Sequence, residues 1–175
     1  MTKVGALCAA LLMLLPCTAW AHGPTRQKVV QSIEINAPAD KVWAVVGNFS
    51  DMSWHPTFPK SEGSGNEPGA TRKLTTKDGG TIEETLTKID AAGKTLSTEM
   101  PKVDVKVLPV ENYSASFTVK DAGGKSTVEW KTAFYRGYAN NDPPPELSDE
   151  AAVNAITNLV KTGLEGLKAK LEAGG

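Results

Sequence analysis

The chain carries two histidines, His22 and His55, and either could ligate a metal. If proteolysis makes His22 an N-terminus, its α-amine and imidazole could join the His55 ring in a three-nitrogen copper brace, a donor set that suits Cu(II). The plainer reading leaves His22 beside a cleavage site and His55 packed or hydrogen-bonded in a connector, because ligand type alone does not supply coordination geometry. Both cysteines, Cys8 and Cys17, fall in the first segment of the chain. Without them no thiolate nucleophile or Cys/His structural zinc set remains.

Glu84 alternates with Ile82 and Leu86, a period-two spacing that would turn its carboxylate toward an apolar face. There it could serve as an acid of raised pKa, anchor a polar group of a ligand, or pair with Arg72 on a nearby strand. A wet rim position is the remaining alternative, and structural pairing is the expected outcome. Trp54, His55 and Phe58 lie in an irregular segment bounded by prolines, where exposed aromatics often make contacts. These three and Glu84 are the candidate ligand-binding or contact residues. Trp43, Phe117 and Trp130 are expected to fill a core, although the aromatic set could also line an apolar cavity.

Catalytic motifs fail on inspection. No serine sits in a Gly-x-Ser-x-Gly elbow, and Gly63-Ser64-Gly65 runs into Pro68-Gly69 rather than into a helix that would cradle phosphate. No activity of its own, no catalytic residue and no cofactor are therefore expected. Nineteen Lys and Arg stand against twenty Asp and Glu in 175 residues. Such a balance offers no basic excess for a nucleic-acid backbone.

The elements that must position these residues can be read from punctuation and period. Asn66-Glu67-Pro68-Gly69, Asp78-Gly79-Gly80, Asp90-Ala91-Ala92-Gly93 and Asp121-Ala122-Gly123-Gly124 carry hairpin-turn chemistry. Between them apolar residues alternate, as in Tyr113, Ala115, Phe117 and Val119, or Val128, Trp130, Thr132 and Phe134. Lys60 to Tyr135 thus reads as an antiparallel meander. A first helix begins at Pro38 and carries Val42, Val45, Val46 and Phe49 on one stripe. A second follows Pro143-Pro144-Pro145, with Ser148 as N-cap and a stripe of Val153, Ile156, Val160, Leu164, Leu167 and Leu171. Gly163 and Gly166 weaken it by about 1 kcal/mol each, which either reflects sequence drift or marks a close approach to the sheet or a ligand. The fold expected is α+β, a curved antiparallel sheet gripping a long C-terminal helix.

The first 21 residues are of another kind. Lys3 precedes an uncharged apolar run from Val4 to Leu15, then Pro16 and the small-x-small triplet Ala19-Trp20-Ala21. This is the pattern of a secretory signal peptide, cleaved after Ala21 to leave one domain from His22 to Gly175. Acylation at Cys17 is disfavoured by Pro16 before it. A soluble, exported, periplasmic product without a membrane span is expected, free of thiols and disulfides.

Ile35-Asn36-Ala37-Pro38-Ala39-Asp40-Lys41-Val42-Trp43 resembles the opening strand and first helix of the SRPBCC superfamily (START/Bet v 1-like, related to polyketide cyclases). The likeness continues in family order through Trp54-His55-Pro56, Asp78 to Leu86, Pro109 to Tyr113, Val128-Glu129-Trp130 and Gly163 to Leu167. It implies a helix-grip fold whose cavity could take a small hydrophobic ligand, as a carrier or an enzyme would. The signal peptide, the start His22-Gly23-Pro24-Thr25 and Trp54-His55-Pro56 also look like the MxaD-type periplasmic accessory proteins of methanol oxidation. That narrower resemblance implies a non-enzymatic role in pairing methanol dehydrogenase with its cytochrome c acceptor. Trp54, His55 and Phe58, rimmed by Asp51 and Lys60, would form the contact patch. The alternative use of the same connector is to seal the mouth of the cavity.

Overall fold

The computed structural model describes residues 23–173. The expected signal peptide, its cleavage after Ala21, and His22 lie outside the described residues. Seven strands and two helices follow in the order β1 (Gln27–Ile35), α1 (Ala39–Val46), β2 (Lys60–Gly63), β3 (Thr71–Thr75), β4 (Thr81–Asp90), β5 (Thr95–Met100), β6 (Val110–Asp121), β7 (Ser126–Arg136) and α2 (Asp149–Glu172). The strands form one sheet ordered β1-β7-β6-β5-β4-β3-β2, and every pair is antiparallel. From β2 to β7 each strand lies beside its neighbour in sequence, the meander that the closely spaced turns call for. Register shifts between Leu86 and Lys88 and between Glu111 and Ser114 mark bulges, which add bend and twist where the sheet curves.

The inner face of this curved sheet and α2 enclose the core. Val110, Tyr113, Ala115, Phe117 and Val119 of β6 are buried, as are Val128, Trp130 and Phe134 of β7. On α2 the buried stripe is Ala152, Ile156, Leu159, Val160, Gly163, Leu164 and Leu167. Val153 and Leu171, expected in the stripe, flank it and are only partly buried. The fold is the α+β helix-grip expected from the sequence. Helix α1 begins at Ala39 with Pro38 as its N-cap residue, one position later than expected. No described helix is long and apolar enough to cross a membrane.

Both ends of α2 are tied down by polar contacts. The Ala151 amide donates to Ser148 Oγ at 3.1 Å, and Asp149 and Glu150 complement the positive end of the helix. Arg136 donates from Nη1 to Asp149 Oδ2 and from Nε and Nη2 to the Tyr138 and Asn140 carbonyls, each at 2.9 Å. At the other end Lys168 Nζ donates to the Glu34 carbonyl at 2.8 Å, and the Asn36 amide donates to Glu172 Oε1 at 2.8 Å. Ser148→Ala should lower unfolding free energy by about 1 kcal/mol in urea denaturation, the usual worth of an N-cap. No change would mean that Arg136 alone holds that end of the helix.

Candidate functional site

The connector between α1 and β2 does not offer its aromatics to solvent. Trp54, His55 and Phe58 keep only 5%, 0% and 2% of their surface accessible, so the contact patch expected of them is not on the surface. The physical reason lies on α2. A Cβ at Gly163 would stand 2.5 Å from His55 Cδ2 and 2.7 Å from Trp130 Cζ3. One at Gly166 would stand 2.5 Å from the Trp54 carbonyl oxygen and from Pro56 Cδ. The two glycines that weaken the helix open a notch, and Trp54-His55-Pro56 fills it. Close approach, one of the two explanations read from the sequence, is the observed one, and its target is the connector together with Trp130.

His55 is fixed in one tautomer. The Thr57 amide donates to Nδ1 at 3.2 Å, so Nε2 carries the proton and donates to the Leu159 carbonyl at 3.1 Å. Burial pushes its pKa down from 6.5 to about 4, the Leu159 bond opposes the shift, and the Arg72 charge adds to it. With both nitrogens engaged and the ring enclosed, His55 offers no lone pair to a metal. The copper brace considered for His22 and His55 therefore lacks its second imidazole.

Behind His55 the grip is packed with rings. Trp130 lies 4.2 Å from Phe117 and 5.9 Å from His55 between centroids, and Trp54 approaches Trp130 edge-on at 6.2 Å. Phe117 and Trp130 fill the core as expected, while Trp43 is only partly buried and packs against it. Trp54 Nε1, Trp130 Nε1 and the Tyr113 hydroxyl have no hydrogen-bond partner among the described residues. Burial, and next the neighbouring Glu84 charge, push the Tyr113 pKa up, so this hydroxyl keeps its proton.

Glu84 faces the interior, as its alternation implies, and it is paired. Arg72 is its direct cross-strand partner. Arg72 Nε donates to Glu84 Oε2 at 2.6 Å and Nη2 bonds to the same oxygen, while Thr98 Oγ1 donates to Oε1 at 3.3 Å. The guanidinium also donates from Nη1 to the Phe49 carbonyl at 2.9 Å and lies 4.5 Å from the Phe49 ring centroid. Of the roles open to Glu84, the structure shows the ion pair, which joins β3, β4 and β5 to the segment at Phe49 that follows α1.

A groove opens where the connector, the β3–β4 hairpin and the β5–β6 loop meet α2. Its inner part, about 270 Å³, is lined by Phe58, Ile82, Val107, Leu108, Pro109, Ala155 and Leu159, with Thr57, Thr76, Asn158 and Thr162. An outer part of about 530 Å³ shares Thr57, Thr76, Val107 and Thr162 and adds Pro56, Lys77, Asp78, Gly80 and Lys106. Phe58 thus belongs to the groove, as its floor, whereas Trp54, His55 and Glu84 lie behind it in the core. The sequence reading missed the α2 and loop residues. Ala155, Asn158 and Thr162 recur at three- and four-residue spacing beside the apolar stripe, a row of small and polar residues that could have marked this side of the helix.

A family model described as polyketide cyclase / dehydrase and lipid transport matches residues 26–172. No curated protein sequence matches the chain. Among solved structures, a putative uncharacterized protein from Bacillus thuringiensis is 26% identical with a TM-score of 0.70, covering 83% of this chain and 99% of its own. The protein XoxI from Bacillus cereus is 28% identical with a TM-score of 0.69, covering 83% and 95%. The Zhui aromatase/cyclase from a Streptomyces species, at 17% identity and TM-score 0.67 over 85% and 94%, shares the fold alone. A match running from β1 through the last turn of α2, on a helix-grip of this topology, makes the chain a member of the polyketide cyclase / dehydrase and lipid transport family within the SRPBCC superfamily.

Proposed function

We propose that this protein is exported to the periplasm and binds a small hydrophobic molecule in the groove between α2, the connector and the β5–β6 loop. The apolar floor of Phe58, Ile82, Leu108 and Leu159, flanked by threonines and Asn158, is the observation that carries this reading. Concave apolar sites with a few polar groups are the ordinary form of small-molecule sites. Binding rather than turnover fits the polar residues nearby, because Glu84 is held by Arg72 and both His55 nitrogens are engaged. The test is a fluorescence titration with the neutral probe N-phenyl-naphthylamine. Wild type should bind it saturably, and Ala155→Trp, which fills the groove from α2, should weaken binding at least about tenfold while remaining folded. Unsaturable binding, or equal binding by the variant, would remove the groove from consideration.

A second reading, an accessory role in pairing methanol dehydrogenase with cytochrome c, is favoured by the ring-filled interior. A grip occupied by Trp54, Phe117 and Trp130 leaves such a protein to act through its surface. The contact would use residues other than Trp54 and His55, which are enclosed. Reconstituting dehydrogenase and cytochrome with and without the protein tests it: faster cytochrome reduction supports the role, and an unchanged rate ends it.

A further inference from the structure

The groove is chemically divided along its length, and the division points to one kind of ligand. Its inner part is floored by Phe58, Ile82, Leu108 and Leu159. Its outer part carries two lysines, Lys77 on the β3–β4 turn and Lys106 on the β5–β6 loop, against a single carboxylate, Asp78. Neither lysine belongs to any ion pair among the described residues. Thr57, Thr76 and Thr162 stand where the two parts join, and line both. Thr76 Oγ1 already donates to the Gly80 carbonyl at 3.2 Å, which keeps its hydroxyl oxygen turned into the turn that presents Lys77.

A groove with an apolar floor that ends in an excess of one positive charge suits an amphiphile whose chain lies on the floor and whose head stays at the charged end. We infer that the groove prefers a free single-chain amphiphile with an anionic head, a carboxylate or a group of like charge, over its neutral counterpart. The chain lies on Phe58, Ile82, Leu108 and Leu159, and the head meets Lys77 and Lys106 at the solvent end. This rests on the groove reading above and adds to it the charge of the ligand. Attraction at such an exposed site is modest and screened by salt, and it sets selectivity more than affinity.

The experiment compares decanoate with decanol, below their aggregation limits, by calorimetry on the mature chain at low salt. Decanoate should bind about fivefold more tightly, the size expected of a solvent-exposed ion pair, and the preference should shrink as salt is raised. The double variant Lys77→Gln/Lys106→Gln, altered only at exposed positions, should bind both ligands with the affinity wild type shows for decanol. Equal binding of the two ligands by wild type, or a preference that survives in the variant, overturns the inference and leaves the groove reading in place. If neither ligand binds, the groove reading falls as well. Binding to phosphatidylglycerol vesicles without binding of free decanoate would also overturn it, in favour of a membrane surface.

Discussion

Glu84→Gln should lower the unfolding free energy by about 3–5 kcal/mol, because it leaves the buried Arg72 guanidinium without its counter-charge. Both side chains are almost wholly enclosed, so water cannot take the place of the missing counter-charge. Removing one partner of such a pair is far more damaging than removing both. The double variant Arg72→Met/Glu84→Leu should therefore recover most of the loss, short of the hydrogen bond that Arg72 gives to the Phe49 carbonyl. Urea denaturation of the three proteins measures this directly. A Glu84→Gln protein within about 1 kcal/mol of wild type would show that the pair is solvated and worth no more than a surface bridge. The same comparison separates stability from function. If Glu84 is only structural, ligand binding per folded molecule should be the same in the double variant as in wild type.

The second large effect is acid sensitivity set by His55. In the unfolded chain its pKa is near 6.5, whereas in the core it is about 4. Above 6.5 the ring is neutral in both states and the full stability is present. As pH falls from 6.5 toward 4 the unfolded chain takes up a proton that the folded protein refuses, so stability declines. Below about 4 both states are protonated and the loss levels off, at about 3 kcal/mol for a gap of this width. His55→Gln can still donate to the Leu159 carbonyl but has no such titration. The stability difference between wild type and this variant should shrink as pH is lowered from neutral to about 4. Carboxylates titrate alike in both proteins and drop out of the comparison. A difference that is independent of pH would mean that His55 is open to solvent.

Much of the architecture was legible because it depends on local periodicity. Alternation over 113–119 and 128–134, Asp- and Gly-bearing turns, and the three- and four-residue spacing after Ser148 each report on one element at a time. From these the meander, the long helix and the core aromatics follow, and burying every apolar face at once leaves few arrangements other than a grip. The pairing of Arg72 with Glu84 was also within reach, because alternation sets the face and a short hairpin sets the register. What the tertiary structure alone decided is the fate of the connector. Trp54, His55 and Phe58 look like loop aromatics in sequence, since nothing local tells an exposed loop from one seated in a notch. The notch is made by Gly163 and Gly166, more than a hundred residues away, and it exists only once α2 lies across the sheet. The groove has the same origin. Its lining comes from the connector, a hairpin, a loop and one side of α2, elements that share no local pattern and meet only because the sheet curves around the helix.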